Sequence, residues 1–491
     1  MTDDTAYDMY EPVIGLEIHV QLNTASKLFS SALNRFGDEP NTNISEVCTG
    51  QPGALPVLNE EAVKKAILFG LAVKAKISNL TTFDRKSYFY PDSPRNFQIT
   101  QFNHPIITGG SVISDVGGET KRFQISEAHL EDDTGMLKHF DTFAGVDYNR
   151  AGTPLLEIVS MPCIHSPKEA SSYAMAIRSI MQYIGASDCS MEEGSLRIDA
   201  NVSVRPKGEK DLRSKIEVKN MNSFNFLEMA IESEIRRQIR LYEQNPNTPF
   251  DELIPQATYR WDVKEKRTVL MRRKEKAEDY RYFPEPDLVP IVLTEEYISE
   301  IEKDMPELPH KRFERYTKKL NLTNYDASIL IIDKKLSDYF EEALKTCRNA
   351  KLLCNLITVE FLGKLKEKNL NLFSIKIPPL HLAKLVNLID SQTITGKIAK
   401  SVADDMIEDP EKDPEKIVKE NPNYRPITDE AEIEKIVDQV LKENPNSIKD
   451  YLSGRDKALA FLVGQVMKIT KGKASPGIVN KFILTKIKKL K

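Results

Sequence analysis

Alternation of apolar and polar residues is the clearest pattern near the start of the chain. From Val13 to Leu22 (VIGLEIHVQL), apolar side chains fall on one face of the predicted strand, whereas Glu17, His19 and Gln21 fall on the other. The same period of two returns between Leu196 and Arg205. Its polar positions are Arg197, Asp199, Asn201, Ser203 and Arg205.

A shorter alternating run, from Lys215 to Lys219, follows a polar turn that contains Pro206 and Gly208, so these two segments predict a β-hairpin. Strands with one apolar and one charged side predict an antiparallel sheet. The polar face of this sheet is either exposed to solvent or covers a ligand. A merely solvated face is the alternative for any single strand. The repeated His, Asp, Asn, Ser and Arg favour a ligand, because solvated faces are usually Lys, Glu and Thr.

Helical signals mark other parts of the chain. Ser166, Pro167 and Glu169 have the pattern of an N-cap, a first-turn proline and a capping box, and the helix that they start is predicted to end at Gly185. Near the end of the chain, Asp429 and then the Ser475-Pro476 pair predict two further helix starts.

Prolines are concentrated at 284–309 and 404–426, and these two segments predict domain boundaries, here called seams. The seams divide the sequence into a head (1–295), a helical middle (296–408) and a helical tail (409–491). The head combines alternating strands with inserted helices. The predicted fold class is therefore α+β, with a mainly antiparallel sheet followed by helical domains.

Composition supports a folded, cytosolic protein. The 491 residues suffice for about three domains, and 40% hydrophobic with 29% charged residues is typical of a globular chain. No apolar run is long enough to span a membrane, and the acidic N-terminus does not resemble a signal peptide. The five scattered cysteines are typical of a reducing cytosol and do not form a zinc ribbon.

Acidic residues gather at two further places. Glu131, Asp132 and Asp133 are consecutive and follow His129, and Glu157 lies inside an apolar strand. Adjacent carboxylates repel each other unless a cation relieves them, and oxygen ligands favour Mg²⁺ or Mn²⁺ over zinc. An exposed acidic loop remains the alternative for residues 131–133.

Basic residues that could bind an anionic substrate occur in two groups. They are Arg85, Lys86, Arg272, Arg273, Lys274 and Arg281. Phosphoryl transfer requires acidic side chains that bind a metal ion and basic side chains that bind the phosphate groups. The sequence contains neither a P-loop nor a G-x-G-x-x-G motif, so any ATP would be bound outside those frames.

The tail holds a basic region despite the net charge of −4. From Arg455 onward, ten Lys and Arg residues oppose the single Asp456, a balance of 10 − 1 = +9. Lys468, Lys471 and Lys473 cluster around Gly472. They could contact the phosphate backbone of RNA without recognising its base sequence. A solvated Lys-rich helix would look similar.

The sequence closely resembles the B subunit of the tRNA-dependent amidotransferases, the GatB family. The matching motifs span nearly the whole chain. They are VIGLEIHVQL, KLFSS, FDRKSYFYPDSPRNFQITQ, HLEDDTGML, VDYNRAGTPLLEIVS, SDCSMEEGSLRIDANVSVRP, IEVKNMNSF, DYRYFPEPDL, GKIAK and KALAFLVGQVMKITKGKASP.

The resemblance implies an ATP-dependent ligase acting on Glu-tRNA(Gln), Asp-tRNA(Asn) or both. ATP phosphorylates the side-chain carboxylate, and ammonia from an amidase partner then displaces phosphate, with a small third protein completing a heterotrimer. The implied fold is a cradle-like domain with a glutamine synthetase-like active site, followed by a helical domain and a YqeY-like tail that binds tRNA.

The resemblance also assigns residues. Mg²⁺ would be bound by Glu17, His19, Glu131, Asp132 and Glu157. The nucleotide and acyl-phosphate site would be lined by Arg85, Lys86, Ser195, Arg197, Asp199 and Asn201. Glu131, Asp132 and Lys86 would be catalytic, and Lys468, Lys471 and Lys473 would bind tRNA.

Three departures from the family pattern qualify this assignment. Asp132 stands where many members have Glu, which shortens one metal ligand by a methylene. Ser45 replaces the first cysteine of a C-x-x-C motif that ends at Cys48, so no structural zinc is predicted. Ala460 stands where Gly is common. Other readings are an RNA-binding adaptor without catalysis and a free-standing carboxylate-amine ligase, in which the basic tail would have no task.

Overall fold

The computed structural model of the protein describes residues 8–273, 280–424, 427, 429–470 and 472–489. Lys274 and Lys471, two of the predicted basic residues, lie outside this part of the chain, as does the side chain of Arg273. The chain divides between Lys311 and Arg312 into two compact units. The predicted domain limits at 295 and 408 stay predictions.

The first unit contains the strands of the protein. They are β1 (Tyr10–Gln21), β2 (Lys76–Ile77), β3 (Leu80–Thr81), β4 (Asp84–Ser87), β5 (Phe97–Thr100), β6 (Ile107–Thr108), β7 (Ser111–Val116), β8 (Glu119–Asp132), β9 (Met136–His139), β10 (Ala144–Asp147), β11 (Pro154–Ser160), β12 (Leu196–Pro206), β13 (Ile216–Lys219), β14 (Ala257–Asp262), β15 (Arg267–Arg273), β16 (Phe283–Pro284) and β17 (Ile291–Val292).

Ten of these strands form one large sheet in the order β15-β14-β13-β12-β1-β11-β8-β6-β2, with β7 paired to β8. All pairs in it are antiparallel except β13 with β14. The predicted mainly antiparallel sheet is thereby confirmed, as is the hairpin of β12 and β13. Smaller pairings join β4 to β5 and β16, β9 to β10, and β3 to β17.

The described part of the first unit also contains six helices. They are α1 (Glu46–Thr49), α2 (Glu60–Ala72), α3 (Pro167–Tyr183), α4 (Phe224–Gln244), α5 (Phe250–Leu253) and α6 (Glu295–Glu302). Of these, α2, α3 and α4 pack against the large sheet. The predicted start of α3 is confirmed, because the Ser166 side chain accepts a hydrogen bond from the Glu169 backbone amide. Ile14, Leu16 and Ile18 of β1 are fully buried in the resulting core.

The chain continues with helices only, within the described residues. They are α7 (Pro309–Lys319), α8 (Asn324–Ile331), α9 (Lys334–Leu344), α10 (Ala350–Asn355), a π-helical turn (Leu356–Phe361), α11 (Leu362–Glu367), α12 (Leu372–Ile375), α13 (Pro379–Asp390), α14 (Gly396–Glu408), α15 (Pro414–Glu420), a 3₁₀ turn (Pro422–Tyr424), α16 (Glu430–Glu443), α17 (Pro445–Leu452), α18 (Asp456–Ile469) and α19 (Pro476–Lys489).

The second unit has two apolar cores, one made by residues 316–418 and one by residues 433–487. The predicted cap at Asp429 is confirmed, since its side chain accepts a hydrogen bond from the Ala431 amide. The predicted helix start at Pro476 is confirmed as well. Fixed-φ proline suits the first turn, where its missing amide hydrogen is not needed.

Candidate active site

The polar face of the large sheet collects the alternating residues into rows. In one row, His19 on β1 lies opposite Glu157 on β11, which lies opposite His129 on β8. In another row, Glu17 lies opposite Asp199 on β12. Residues directly opposite on paired strands have side chains on the same face, so these groups converge above one region of the sheet.

The first group consists of His19, Glu131 and Glu157. His19 Nε2 lies 3.4 Å from Glu157 Oε2 and 3.6 Å from Glu131 Oε1. One potential ligand atom of each residue lies within 4.8 Å of the other two. Glu131 is 2% exposed, and its Oε2 atom has no hydrogen-bond partner among the described residues. An unpartnered buried carboxylate oxygen is costly, so this geometry favours a bound cation.

Electrostatics within this group shift the proton equilibria of its members. Burial disfavours protonation of His19, but the charges of Glu157 and Glu131 outweigh burial and raise the His19 pKa to about 9. Burial and the nearby Glu157 raise the pKa of Glu131. Burial would also raise the pKa of Glu157, but His19 and His129 hold it well below its ordinary value. A proton on His19 thus partly compensates the carboxylate charge, as a metal ion would.

The second group consists of Glu17, Asp199 and Glu217, whose potential ligand atoms also lie within 4.8 Å of one another. Asn201 Nδ2 donates to Glu17 Oε1 at 2.7 Å. Thr258 Oγ1 donates to Glu217 Oε2 at 2.8 Å. These hydrogen bonds fix the orientation of two of the three carboxylates.

Lys219 and Lys86 supply positive charge beside the two groups. Lys219 Nζ pairs with Asp199 and lies 3.3 Å from Glu217 Oε1. Lys86 comes from β4; burial opposes its charge, but Glu131, Glu157 and the neighbouring tyrosines raise its pKa above the ordinary range. Both amines are therefore charged at neutral pH, although they are largely enclosed.

A cleft of about 220 Å³ joins these residues. It is lined by Glu17, His19, Lys86, Tyr88, Gln98, Thr134, Glu157, Asp199, Glu217, Lys219, Thr258, Arg272 and Tyr280. Carboxylates together with cations in one cleft are suited to a polyanionic ligand that carries divalent metal.

Asp132 does not join the groups with which the sequence placed it. Strand alternation turns it away from Glu131, and its side chain pairs with Arg95 and accepts a hydrogen bond from the Ile99 amide at 2.9 Å. Burial raises its pKa although Arg95 opposes this effect. The structure therefore favours a bracing contact between β8 and β5 over metal binding for this carboxylate.

Arg85 and Ser195 also lie outside the cleft. Arg85 is the strand neighbour of Lys86 on β4, and it forms a bidentate pair with Glu285 (2.7 and 2.8 Å) and lies over the Phe97 ring. Ser195 Oγ donates to Asp188 Oδ1 at 2.6 Å and fixes the turn before β12. Alternation turns Arg85 and Lys86, which are neighbours on β4, to opposite faces of that strand.

The assignment from sequence omitted several residues that the structure brings to the site. Asp133, one position after Asp132, accepts hydrogen bonds from Arg197 at 2.6 Å and from Gln21 at 3.0 Å. Arg197 thus reaches the edge of the site through Asp133.

Three other omitted residues, His129, Glu217 and Lys219, also lie at the site. The signal for them was present in the alternation of β8 and β13, whose polar positions they occupy. The alternative of an exposed loop at 131–133 is wrong, because all three acids are buried.

Ser45, the residue that replaces a cysteine, has a structural contact of its own. It caps α1 by accepting from the Cys48 amide, and its hydroxyl donates to Cys48 Sγ at 3.2 Å. In the tail, Lys468 is exposed on α18 and Lys473 follows that helix. Lys471 lies outside the described residues.

Comparison with known proteins gives matches over most of the chain. A model of the GatB/GatE catalytic domain matches residues 12–299, and a model described as the GatB domain matches residues 338–487. Curated relatives named as the B subunit of aspartyl/glutamyl-tRNA(Asn/Gln) amidotransferase cover nearly the full length. The relative from Protochlamydia amoebophila is 64% identical over 98% of this chain and 97% of its own. Those from Chlamydia pneumoniae and Chlamydia trachomatis serovar L2 are 59% and 54% identical, over 98% of this chain and 99% and 98% of theirs.

The fold and the acidic cleft define a protein with a GatB/GatE-type catalytic domain followed by a helical GatB domain. With relatives this similar over their whole length, the chain belongs to the GatB family, the B subunits of aspartyl/glutamyl-tRNA(Asn/Gln) amidotransferases. Among the described residues, no helix combines the length and apolar character needed to cross a membrane.

Proposed function

We propose that this protein uses ATP to phosphorylate the side-chain carboxylate of glutamate or aspartate esterified to tRNA, and then lets ammonia displace the phosphate to give the amide. The observation that carries the proposal is the pair of acidic groups, His19/Glu131/Glu157 and Glu17/Asp199/Glu217. All of their members except Glu131 line one cleft together with Lys86 and Lys219. A carboxylate is a poor acceptor for ammonia until its oxygen becomes a good leaving group, and phosphorylation provides one.

The donors of both groups fit Mg²⁺. Five carboxylates and one imidazole supply the ligands, and the unpartnered Glu131 Oε2 atom provides an available oxygen. In the proposal, His19, Glu131 and Glu157 bind one ion, and Glu17, Asp199 and Glu217 bind a second. When bound, Mg²⁺ neutralises the charge of the transferring phosphoryl group and orients it.

The chain's own residues perform the remaining tasks. Lys86 directs its charged amine into the cleft, where it stabilises the equatorial oxygens of the phosphoryl group as their charge spreads. Lys219 holds Asp199 and Glu217 in place through its ion pairs. Arg272 and Tyr280 line the same cleft and help to exclude water around the acyl phosphate, which water would otherwise hydrolyse.

The rest of the proposal follows from family membership. Ammonia comes from an amidase partner, and a small third protein completes the heterotrimer, which works on mischarged tRNA in the cytoplasm. Active-site similarity to glutamine synthetase is part of this proposal. The basic tail, with Lys468 and Lys473, binds the tRNA phosphates, and the functional domains follow the limits 1–295, 296–408 and 409–491.

The proposal is tested by reconstituting the complex with the amidase and the small third protein, and supplying ATP, glutamine and each mischarged tRNA in turn. Glu131→Gln removes one buried ligand charge, and we expect product formation to fall at least about 100-fold while tRNA binding is kept. Glu119→Gln, an exposed position on the same strand β8, is the matched control and should leave the rate unchanged. Unchanged amidation by Glu131→Gln would refute the assignment of this site.

A further inference from the structure

The hairpin of β9 and β10 carries an aromatic pair at its tip that the proposed reaction does not use. The rings of Phe140 and Phe143 stack with centroids 4.6 Å apart and planes at 22°. The two residues are 53% and 63% exposed. The Phe140 amide donates to the Phe143 carbonyl at 2.8 Å, which fixes the pair at the turn. The two stacked, partly exposed rings form a preformed apolar surface.

The base of the hairpin is held firmly by polar contacts. The Gly135 amide donates to the Asp92 carbonyl at 2.8 Å, and Arg150 Nη2 donates to the Gly135 carbonyl at 2.6 Å. On the return strand, Asn41 Nδ2 donates to the Val146 carbonyl at 3.1 Å. The tip thus has a defined position relative to the strands that lead to it.

Those strands connect the tip to the cleft. Thr134 lines the cleft, and β9 begins two residues later at Met136. An extended chain rises about 3.3 Å per residue, so the path from Thr134 to Phe140 spans at most about 20 Å. The tip therefore lies within reach of the nucleotides that precede the amino acid on the tRNA.

We propose that Phe140 and Phe143 stack against an unpaired base near the 3′ end of the charged tRNA, with Lys138 close to an adjoining phosphate. The inference rests on the proposed function, because the amino acid is esterified to that end. Aromatic side chains bind unpaired bases through stacking, independently of sequence, and lysine contacts the backbone. Lys138 is exposed on the strand that leads to the tip.

A protein partner fits this tip less well. A fully covered aromatic side chain buries about 150–250 Å², and because the two rings are 53% and 63% exposed, the pair offers about 170–290 Å². A stable protein interface needs about 800 Å² from each partner. One base stacked on an outer ring face matches the size of this surface.

The experiment compares tRNA binding by the reconstituted complex containing wild-type chain or the Phe140→Ala/Phe143→Ala double variant. Each is titrated with intact uncharged tRNA and with the same tRNA trimmed of its unpaired 3′ nucleotides. We expect the double variant to bind intact tRNA about 5- to 150-fold more weakly, from the loss of one stacked base. Trimming should weaken the wild type by a similar factor and the variant little further.

Two control variants sharpen this test. Phe140→Tyr/Phe143→Tyr keeps the aromatic faces and should bind intact tRNA like the wild type. Tyr325→Ala removes a 72% exposed aromatic side chain from α8 and should also leave binding unchanged.

Equal binding of intact tRNA by wild type and Phe140→Ala/Phe143→Ala would overturn the inference. Loss of either partner protein from the double variant in size-exclusion chromatography would overturn it too, because the pair would then be a protein contact. Amidation by the wild-type complex is measured separately. Its absence would reject the proposed function, whereas a hairpin variant indistinguishable from an active wild type rejects only the hairpin inference.

Discussion

Asp133→Asn tests whether the buried carboxylate of Asp133 stabilises the attachment of the end of β8 to the neighbouring strands of the large sheet. The carboxylate is almost fully buried, with 3% side-chain exposure. It accepts from Arg197 of β12 at 2.6 Å and from Gln21 of β1 at 3.0 Å, and Arg150 Nε lies 3.8 Å away. The substitution keeps the shape of the side chain but removes the charge that these donors share.

The expected cost follows from this geometry. Breaking a buried ion pair by removing one partner costs about 3–5 kcal/mol. The Arg197 side chain is 34% exposed, and water screens part of the loss. We therefore expect Asp133→Asn to lower the free energy of unfolding by about 1–3 kcal/mol at neutral pH. Amidation should fall as well, because Thr134, which follows this residue, lines the cleft.

The effect has a defined pH dependence. Burial would raise the Asp133 pKa, but Arg197 and Arg150 outweigh it and lower the pKa. A carboxylate with a lowered folded-state pKa contributes stability above its unfolded pKa of about 3.9, and this contribution is lost as pH falls through the folded value. The difference between wild type and variant should therefore be constant from about pH 7 to about pH 5 and shrink below about pH 4.

Urea unfolding at several pH values measures this difference. Asp115→Asn is the control, because Asp115 is exposed and accepts a turn hydrogen bond from the Gly118 amide, which asparagine can also accept. Equal unfolding midpoints for Asp133→Asn and wild type at neutral pH would refute the claim that this charge holds the three strands together.

Three further predictions follow from other parts of the molecule. Because its pKa is raised to about 9, His19 is protonated at neutral pH and must lose this proton to ligate a metal. The Mg²⁺ affinity should therefore rise with pH up to about pH 9. Calorimetry in buffers of different ionisation enthalpy should detect the released proton, and His19→Gln should abolish this proton release. Glu234 is fully buried and accepts hydrogen bonds from Arg237, Gln238 and Thr268. Glu234→Ala should therefore lower the free energy of unfolding by about 2–4 kcal/mol. A thermal unfolding midpoint equal to that of the wild type would contradict this expectation. Lys468→Glu/Lys473→Glu should weaken tRNA binding and make it less salt-dependent, with a shallower slope in a salt titration, while leaving metal binding intact.

The alternation of single strands could be predicted from the sequence because it depends on a local period of two. β1, β11 and β12 follow it, and their polar faces carry Glu17, Glu157 and Asp199. Which strands become neighbours depends on contacts far apart in sequence. The two acidic groups arise only when β1 pairs with both β11 and β12, and no local pattern specifies that order.

The consecutive acids at the end of β8 differ in the direction of their side chains. Family resemblance marks Glu131 and Asp132 as one motif, but a strand turns adjacent side chains to opposite faces. Asp132 pairs with Arg95 away from the cleft, whereas Asp133 joins the network of Arg197 and Gln21. The same alternation separates Arg85 from Lys86. The period of two within each motif predicts these side-chain directions.

In the proposed mechanism, six donors on one face of the sheet bind the divalent ions of a phosphoryl-transfer centre. Anomalous diffraction from crystals soaked with Mn²⁺ and a non-hydrolysable ATP analogue tests it most directly. We expect one manganese peak among His19, Glu131 and Glu157 and a second among Glu17, Asp199 and Glu217, both next to the nucleotide phosphates. Ordered nucleotide in the cleft without manganese at either group would contradict it.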